Sequence, residues 1–262
     1  MKKSGGRYTR YKVSYSWEGD CEMGENKMPH IQLPENLGIR YAVLPGDPAR
    51  AERAAGYLKD AKLLTFNREY KSYSGFWNGV PVLVMSTGMG GPSVEELQKI
   101  GVEAAVRIGS CGALQPEVRV GDLVMVEAAV RDEGTSLGYA PLSYPAVADH
   151  RLLTACEESA KEAGCRFHTG IARSHDCLYR DDNPVIYEEW AKKGVLASDM
   201  ETAALFVVGR IRGMRTASIL NVVAACKGNV AENIGRYVDG ETLTAQGEEY
   251  EILTAFAALT RQ

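Results

Sequence analysis

No stretch of this 262-residue chain approaches the ~18 uninterrupted apolar residues of a membrane span. Neither sign of charge dominates. Thirty Lys and Arg face 34 Asp and Glu, a formal net charge of −4, so the chain lacks the basic footprint that nucleic acid or an anionic membrane would require. An anionic ligand must therefore be held by a local cluster of arginines. The six cysteines form no CxxC pair and lie at no zinc-ligand spacing from the histidines. In a chain this long they read as reduced thiols, and a cytoplasmic location is expected. The opening MKKSGGRYTRYKVSYSWEGD has no apolar run behind its lysines, so no secretory signal is expected. Internal repeats and linkers are also missing. The simplest division is a polar extension over residues 1–28 and one domain over 29–262.

What is present is an alternation of short apolar runs with amphipathic segments. Strands are expected at Tyr41–Leu44, Lys62–Phe66, Tyr70–Trp77 and Pro81–Thr87, with Asn78-Gly79 as a type I′ hairpin turn. Further strands are expected at Ala104–Ile108, Asp122–Arg131, Phe167–Arg173 and Thr216–Ala224. Helices are expected at Pro48–Leu58, Ser93–Ile100, Asp149–Ala163, Val185–Lys193, Thr202–Ile211 and Leu243–Thr260. Strands that are apolar throughout, flanked by helices, argue for an α/β fold with a largely buried mixed sheet.

Several residues carry chemistry. Gly46-Asp47-Pro48 closes a strand and opens a helix, with Asp47 suited to the N-cap and Pro48 to the first helical position. That is either a well-made turn or an anion site at the helix N-terminus. Arg50 lies in the first turn, where the helix dipole disfavours a cation unless an anion neutralises it. Arg107 interrupts the apolar run Ala104–Gly109. A buried guanidinium must meet an acid or an anionic ligand, and both readings stand. Gly109–Gly112 then reads as a small turn at the strand's carboxyl end, where α/β sheets bind ligands, and Ser110 offers a hydroxyl there. Gly88–Ser93 resembles a phosphate loop only loosely. Ser93 with Glu96, and Ser198 with Glu201, each fit a capping box. Glu201 alternatively suits a ribose diol, because an ionised carboxylate only accepts hydrogen bonds. Of the four histidines, His150 and His168 read as surface or helix-flank residues. His30 precedes the first strand, and His175 in Ser174–Tyr179 could face a pocket.

Taken together, these segments resemble the nucleoside phosphorylase-I family, and uridine phosphorylases most. The motifs are GDPAR (46–50), NREY (67–70), STGMGGPS (86–93), RIGSCGAL (107–114), GTSLGYAPLSYPAVAD (134–149) and SDMETAALF (198–206). The likeness runs from about His30 to the C-terminus. It implies a single-domain mixed sheet, partly barrel-like and flanked by helices. It also implies a pentosyltransferase activity: cleavage of a nucleoside by inorganic phosphate to free base and ribose 1-phosphate. Phosphate would be held by Gly46, Arg50, Arg107 and Ser110, with Arg68 reaching in from a neighbouring subunit. Met200 and Glu201 would hold the ribose, and His30 would reach its 5′ hydroxyl across a subunit interface. Arg107 and Glu201 would carry catalysis. The resemblance implies no redox cofactor, no metal, and a homodimer or a hexamer built as a trimer of dimers, with shared sites.

The chain departs from the family at the base. Uridine phosphorylases carry a Gln and an Arg, two residues apart, just beyond the strand ending here near Tyr179; this chain has Arg180-Asp-Asp-Asn-Pro184. Leu178 stands where those enzymes place a Phe. The acidic residue of the purine branch is missing after Ile219–Ala224. The helix after GGPS is about one turn shorter than in relatives. Leu178, Tyr179 and Arg180 remain the expected base-side residues, with His175 and Lys227 as further candidates to meet charge on the leaving base. A purine or methylthio-nucleoside phosphorylase, a nucleoside hydrolase, and a non-catalytic nucleoside or sugar-phosphate binder are the alternatives.

Overall fold

The computed structural model describes residues 27–88, 93–226 and 242–261. The extension, the Met89–Pro92 part of the glycine-rich loop and Lys227 lie outside them. Within them the chain runs β1 (Tyr41–Pro45), α1 (Pro48–Ala55), β2 (Lys59–Asn67), β3 (Tyr70–Trp77), β4 (Val80–Met85), α2 (Val94–Lys99), β5 (Ala104–Ala113) and β6 (Leu123–Asp132). It continues through a 3₁₀ turn (Ser136–Gly138), β7 (Ala146–Val147), α3 (His150–Ala163), β8 (Phe167–His175), α4 (Asn183–Lys192), β9 (Ala197–Asp199), α5 (Thr202–Ile211), β10 (Arg215–Ala224) and α6 (Thr242–Thr260). No helix among the described residues is long and apolar enough to cross a membrane.

All the strands join one mixed sheet in the order β10-β6-β8-β9-β5-β1-β4-β3-β2, with β7 paired to β6. β5 also pairs with β10, so β10, β6, β8, β9 and β5 close into a five-stranded barrel, and β1, β4, β3 and β2 extend from it as an open wing. Side chains of β1 alternate between two cores. Ala42 and Leu44 face one that holds Leu97, Phe206 and Leu220; Tyr41 and Val43 face another that holds Ala54, Leu152 and Phe256. This period of two is what a strand buried on both faces requires.

Local chemistry sets the element ends. Asp47 accepts from the Ala49 and Arg50 N–H groups at 3.1 and 3.0 Å, and Pro48 opens α1. The helix stops at Ala55 rather than Leu58. Gly56 follows, a poor helix former, and Tyr57 and Leu58 are both buried as the chain turns into β2. Asn78 (φ 50°) and Gly79 (φ 80°) make the expected I′ hairpin turn. Asp149 caps α3 by accepting from Leu152 N–H at 3.0 Å, and Gly164 (φ 70°) ends it in the left-handed region. Arg131 organises the 134–149 run by donating to the carbonyls of Ser136 and Ala140, both at 2.8 Å, and of Pro141 and Tyr144.

Three sequence expectations are corrected. Gly109–Gly112 is not a turn: β5 continues through it to Ala113, pairing Ser110 with Asn221 and Gly112 with Ser198. The glycine is needed because the Arg107 side chain lies over it; a Cβ at Gly109 would sit 2.5 Å from Nη2. Neither capping box forms. Ser93 makes no side-chain cap, and Glu96 instead accepts from the N–H groups of His30 and Ile31. At α5 the cap is Asp199, whose Oδ2 accepts from Thr202 N–H at 3.0 Å and from its hydroxyl at 2.6 Å. His168 is not a surface residue either: it sits half-buried in β8 with Nε2 2.9 Å from Asp122 Oδ2.

Candidate active site

The carboxyl ends of β1, β5, β8, β9 and β10 open into one cavity of about 2140 Å³. Strand ends are where an α/β sheet leaves room for a ligand. The volume exceeds the roughly 300–1,000 Å³ of an ordinary ligand pocket, so the chemistry must be located within it. One corner is cationic. Arg50 comes from α1 and Arg107 from β5, with Gly46 and Ser110 beside them in the same wall. Both arginines are buried, at 3% and 5% exposure.

Neither guanidinium is loose. Arg50 donates from Nη2 to Ser110 Oγ (3.2 Å) and from Nε to Glu248 Oε2 (3.2 Å), with Nη1 3.3 Å from Glu251 Oε1. Arg107 donates from Nε to Asp199 Oδ2 (3.2 Å) and from Nη2 to Glu201 Oε2 (2.5 Å). Burial works against the Arg107 charge. Glu201 and Asp199 outweigh burial and keep it charged, while Arg50 opposes it across the site. Arg107 therefore has acid partners and also stands in a cavity wall. Its Nη1 is buried with no hydrogen-bond partner among the described residues. Of the two readings offered by the sequence, the acid partners are present in Asp199 and Glu201. At the helix N-terminus the Asp47 carboxylate accepts from the Ala49 and Arg50 N–H groups, and Gly46 and Asp47 line the cavity.

Met200 and Glu201 line the cavity next to this corner. Asp199 fixes them: besides capping α5, its Oδ1 accepts from Ser174 Oγ at 2.6 Å. At the other end Leu178, Tyr179 and Arg180 line the rim. Tyr179 is 82% exposed, and Arg180 donates to both oxygens of Asp182 at 2.8 and 2.6 Å. His175 is buried in the same wall, 3.4 Å from Tyr187 Oη. Burial and the charge of Arg173 push its pKa down. Asn183 braces the rim by donating to the carbonyls of Cys177 (3.0 Å) and Leu178 (2.8 Å).

Two expected residues do not join the cavity of their own chain. Arg68 is exposed in the β2–β3 turn with φ 56°. His30 lies on the surface, its Nδ1 2.6 Å from Glu96 Oε1. Both were expected to serve a neighbouring subunit. The sequence reading missed Glu248 and Glu251 altogether. Their signal was available: Thr244, Glu248, Glu251, Ala255 and Leu259 fall on the buried stripe of α6, where an acid demands a partner.

The model of the phosphorylase superfamily matches residues 40–256. Uridine phosphorylase of Thermococcus kodakarensis is 35% identical over 245 residues, covering 87% of each chain. Guanosine phosphorylase of Halorubrum lacusprofundi is 38% identical over 200 residues, 75% of this chain and 83% of the relative. The crystal structure of uridine phosphorylase from Vibrio fischeri superposes with a TM-score of 0.84 at 37% identity, over 91% of this chain and 99% of that one. The chain belongs to the phosphorylase superfamily.

Proposed function

We infer that this protein is a nucleoside phosphorylase, a pentosyltransferase that transfers the ribosyl group of a nucleoside, uridine first, to inorganic phosphate. The observation that carries the reading is the convergence of Arg50, Arg107 and Ser110 in one cavity wall beside Glu201. Two buried cations brought together in one wall, each held in place by acids, offer an anion a charged and pre-positioned seat. Water, as in a hydrolase, would need no such clamp. Phosphate held there attacks C1′ of the ribose from the face opposite the base. A C–O bond forms as the C–N bond breaks, and the electron pair leaves with the base. Glu201, oriented by Arg107, and Met200 hold the sugar, so the chemistry is positioning plus electrostatic stabilisation of an oxocarbenium-like ribose.

Arg68 and His30 complete the site from a neighbouring subunit in a dimer or trimer of dimers. Inorganic phosphate is the co-substrate, and neither a redox cofactor nor a metal takes part. The free thiols of the five described cysteines favour the cytoplasm. A second reading of the base is favoured by the guanosine phosphorylase relative, which gives guanosine as the alternative substrate.

The test is a nucleoside panel with uridine, guanosine, inosine, adenosine and methylthioadenosine, assayed with and without phosphate and with the sugar product identified by ³¹P NMR. Ribose 1-phosphate should form only when phosphate is present. Base release that ignores phosphate would establish a hydrolase, and binding of ribose 1-phosphate without base release would establish a non-catalytic binder.

A further inference from the structure

Arg50 is the phosphate arginine with the more unusual surroundings. Two carboxyl groups from one helix converge on it. Glu248 lies 3.2 Å from Nε and is shared with Arg53, which donates to it at 3.0 Å. Glu251, one turn further on, has Oε1 3.3 Å from Nη1 and is fully buried. Glu248 lines the cavity, whereas Glu251 sits behind the guanidinium. Glu248 is shared between two arginines, and Arg53 also lies 3.7 Å from Asp47 Oδ2. A further ionised acid against Arg50 would oppose an anionic ligand at the same guanidinium.

Building on the phosphate-site reading above, we propose that Glu251 is a positioning residue that sets phosphate affinity. As a neutral acid it props Arg50 without cancelling its charge; once ionised, it competes with phosphate for the same guanidinium. Burial holds the Glu251 carboxyl far above the usual carboxylate range, at about 8, against the pull of Arg50. The groups acting on it are Arg50 from α1, Glu248 from its own helix, and Arg107 and the Gly109 N–H from β5. The Cys111 thiol of β5 also faces it, itself held protonated by burial. β1, β3, β6, β10 and α3 also pack on α6.

The sign is distinctive. Above about pH 8 Glu251 loses its proton, so phosphate binding must bring a proton back to it and affinity falls as pH rises. Phosphate itself gains negative charge over the same range, which alone would strengthen binding. Calorimetric titration of the wild type with inorganic phosphate, in buffers of different ionisation heat, should show uptake of about half a proton near pH 8.5 beyond phosphate's own. Phosphate affinity should weaken by about tenfold between roughly pH 7 and 9.5, the effect of one pKa unit of coupling. Glu251→Gln copies the neutral acid and should hold its affinity within about threefold over that range.

Parallel weakening of E251Q and wild type, or binding without proton uptake, would overturn the proposal while leaving the phosphate site standing. The wild-type calorimetry decides the matter even if the variant folds poorly. A wild type that binds no phosphate at any pH would instead overturn the functional reading beneath it.

Discussion

The two ends of the cavity are built differently. At the arginine end both guanidiniums are buried and held by neighbouring side chains: Arg50 by Glu248 and Ser110, Arg107 by Asp199 and Glu201. At the base end the rim is a short segment between β8 and α4. Tyr179 stands in solvent, and Arg180 is satisfied by Asp182 two residues away. The difference teaches where function is fixed. An end made of strand termini and buried ion pairs has one geometry. An end made of an exposed connection can change its residues without disturbing the core. On the proposed reading, this is why the motifs match the family at the arginines and depart from it on the base side.

The comparison breaks most visibly at Arg107. Arg107→Ala should abolish phosphorolysis. It should also destabilise the fold by about 3–5 kcal/mol, because Asp199 and Glu201 are left buried without their cation; urea unfolding measures the second effect. Arg107→Lys keeps the charge but not the fork, and should fold better while remaining severely impaired. A variant with near wild-type turnover would remove Arg107 from the site.

The next largest effect is expected at Glu201. Glu201→Gln should lower kcat/KM for uridine on the order of a hundredfold, the scale of losing one preorganised contact. It should also narrow the preference for uridine over 2′-deoxyuridine. Full retention of that preference would show that Glu201 does not read the sugar.

Glu251 supplies a stability prediction at the same end. Its folded pKa is raised to about 8 from the 4.5 of an ordinary glutamate. Between those values the folded state keeps a proton that the unfolded state has lost. Its contribution is therefore full at low pH and fades as pH rises toward 8. The Tm of Glu251→Gln relative to wild type should climb from about pH 5 to pH 8 and then level off. A flat difference would mean that Glu251 is ionised in the folded protein throughout.

The smallest effect is expected at the rim. Arg180→Ala should raise KM for the nucleoside no more than about fivefold, with KM for phosphate unchanged, since an exposed, solvent-screened ion pair contributes little. Unchanged kinetics for the nucleoside would exclude Arg180 from base binding.

Much of the frame was legible in the sequence, because period-two and period-3.6 patterns survive wherever one face is buried. Tyr70–Trp77 and Thr202–Ile211 emerge with the expected ends. The failures have physical causes. Gly109 and Gly112 look like a turn in sequence, yet both lie within β5, where Gly109 makes room for the Arg107 side chain lying across it. Ser93 and Ser198 fit a capping pattern, but Glu96 and Glu201 are drawn to stronger partners elsewhere. At the site, Arg50, Arg107, Ser110, Met200 and Glu201 were picked out and do line one cavity. The acids behind Arg50 were not, because two glutamates in a helix read as its solvated face until their position on the buried stripe is counted.

The central claim is that Arg50, Ser110 and Arg107 form a phosphate site. Its most direct test is the melting temperature of wild type and Arg107→Lys titrated with inorganic phosphate. A ligand present at about 100 times its Kd stabilises the folded state by ~2.7 kcal/mol. For a chain of this size that is a rise in Tm of roughly 5–10 °C. The wild type should show this saturable rise and Arg107→Lys should lose most of it. An equal rise in both proteins, or none in the wild type, would contradict the assignment.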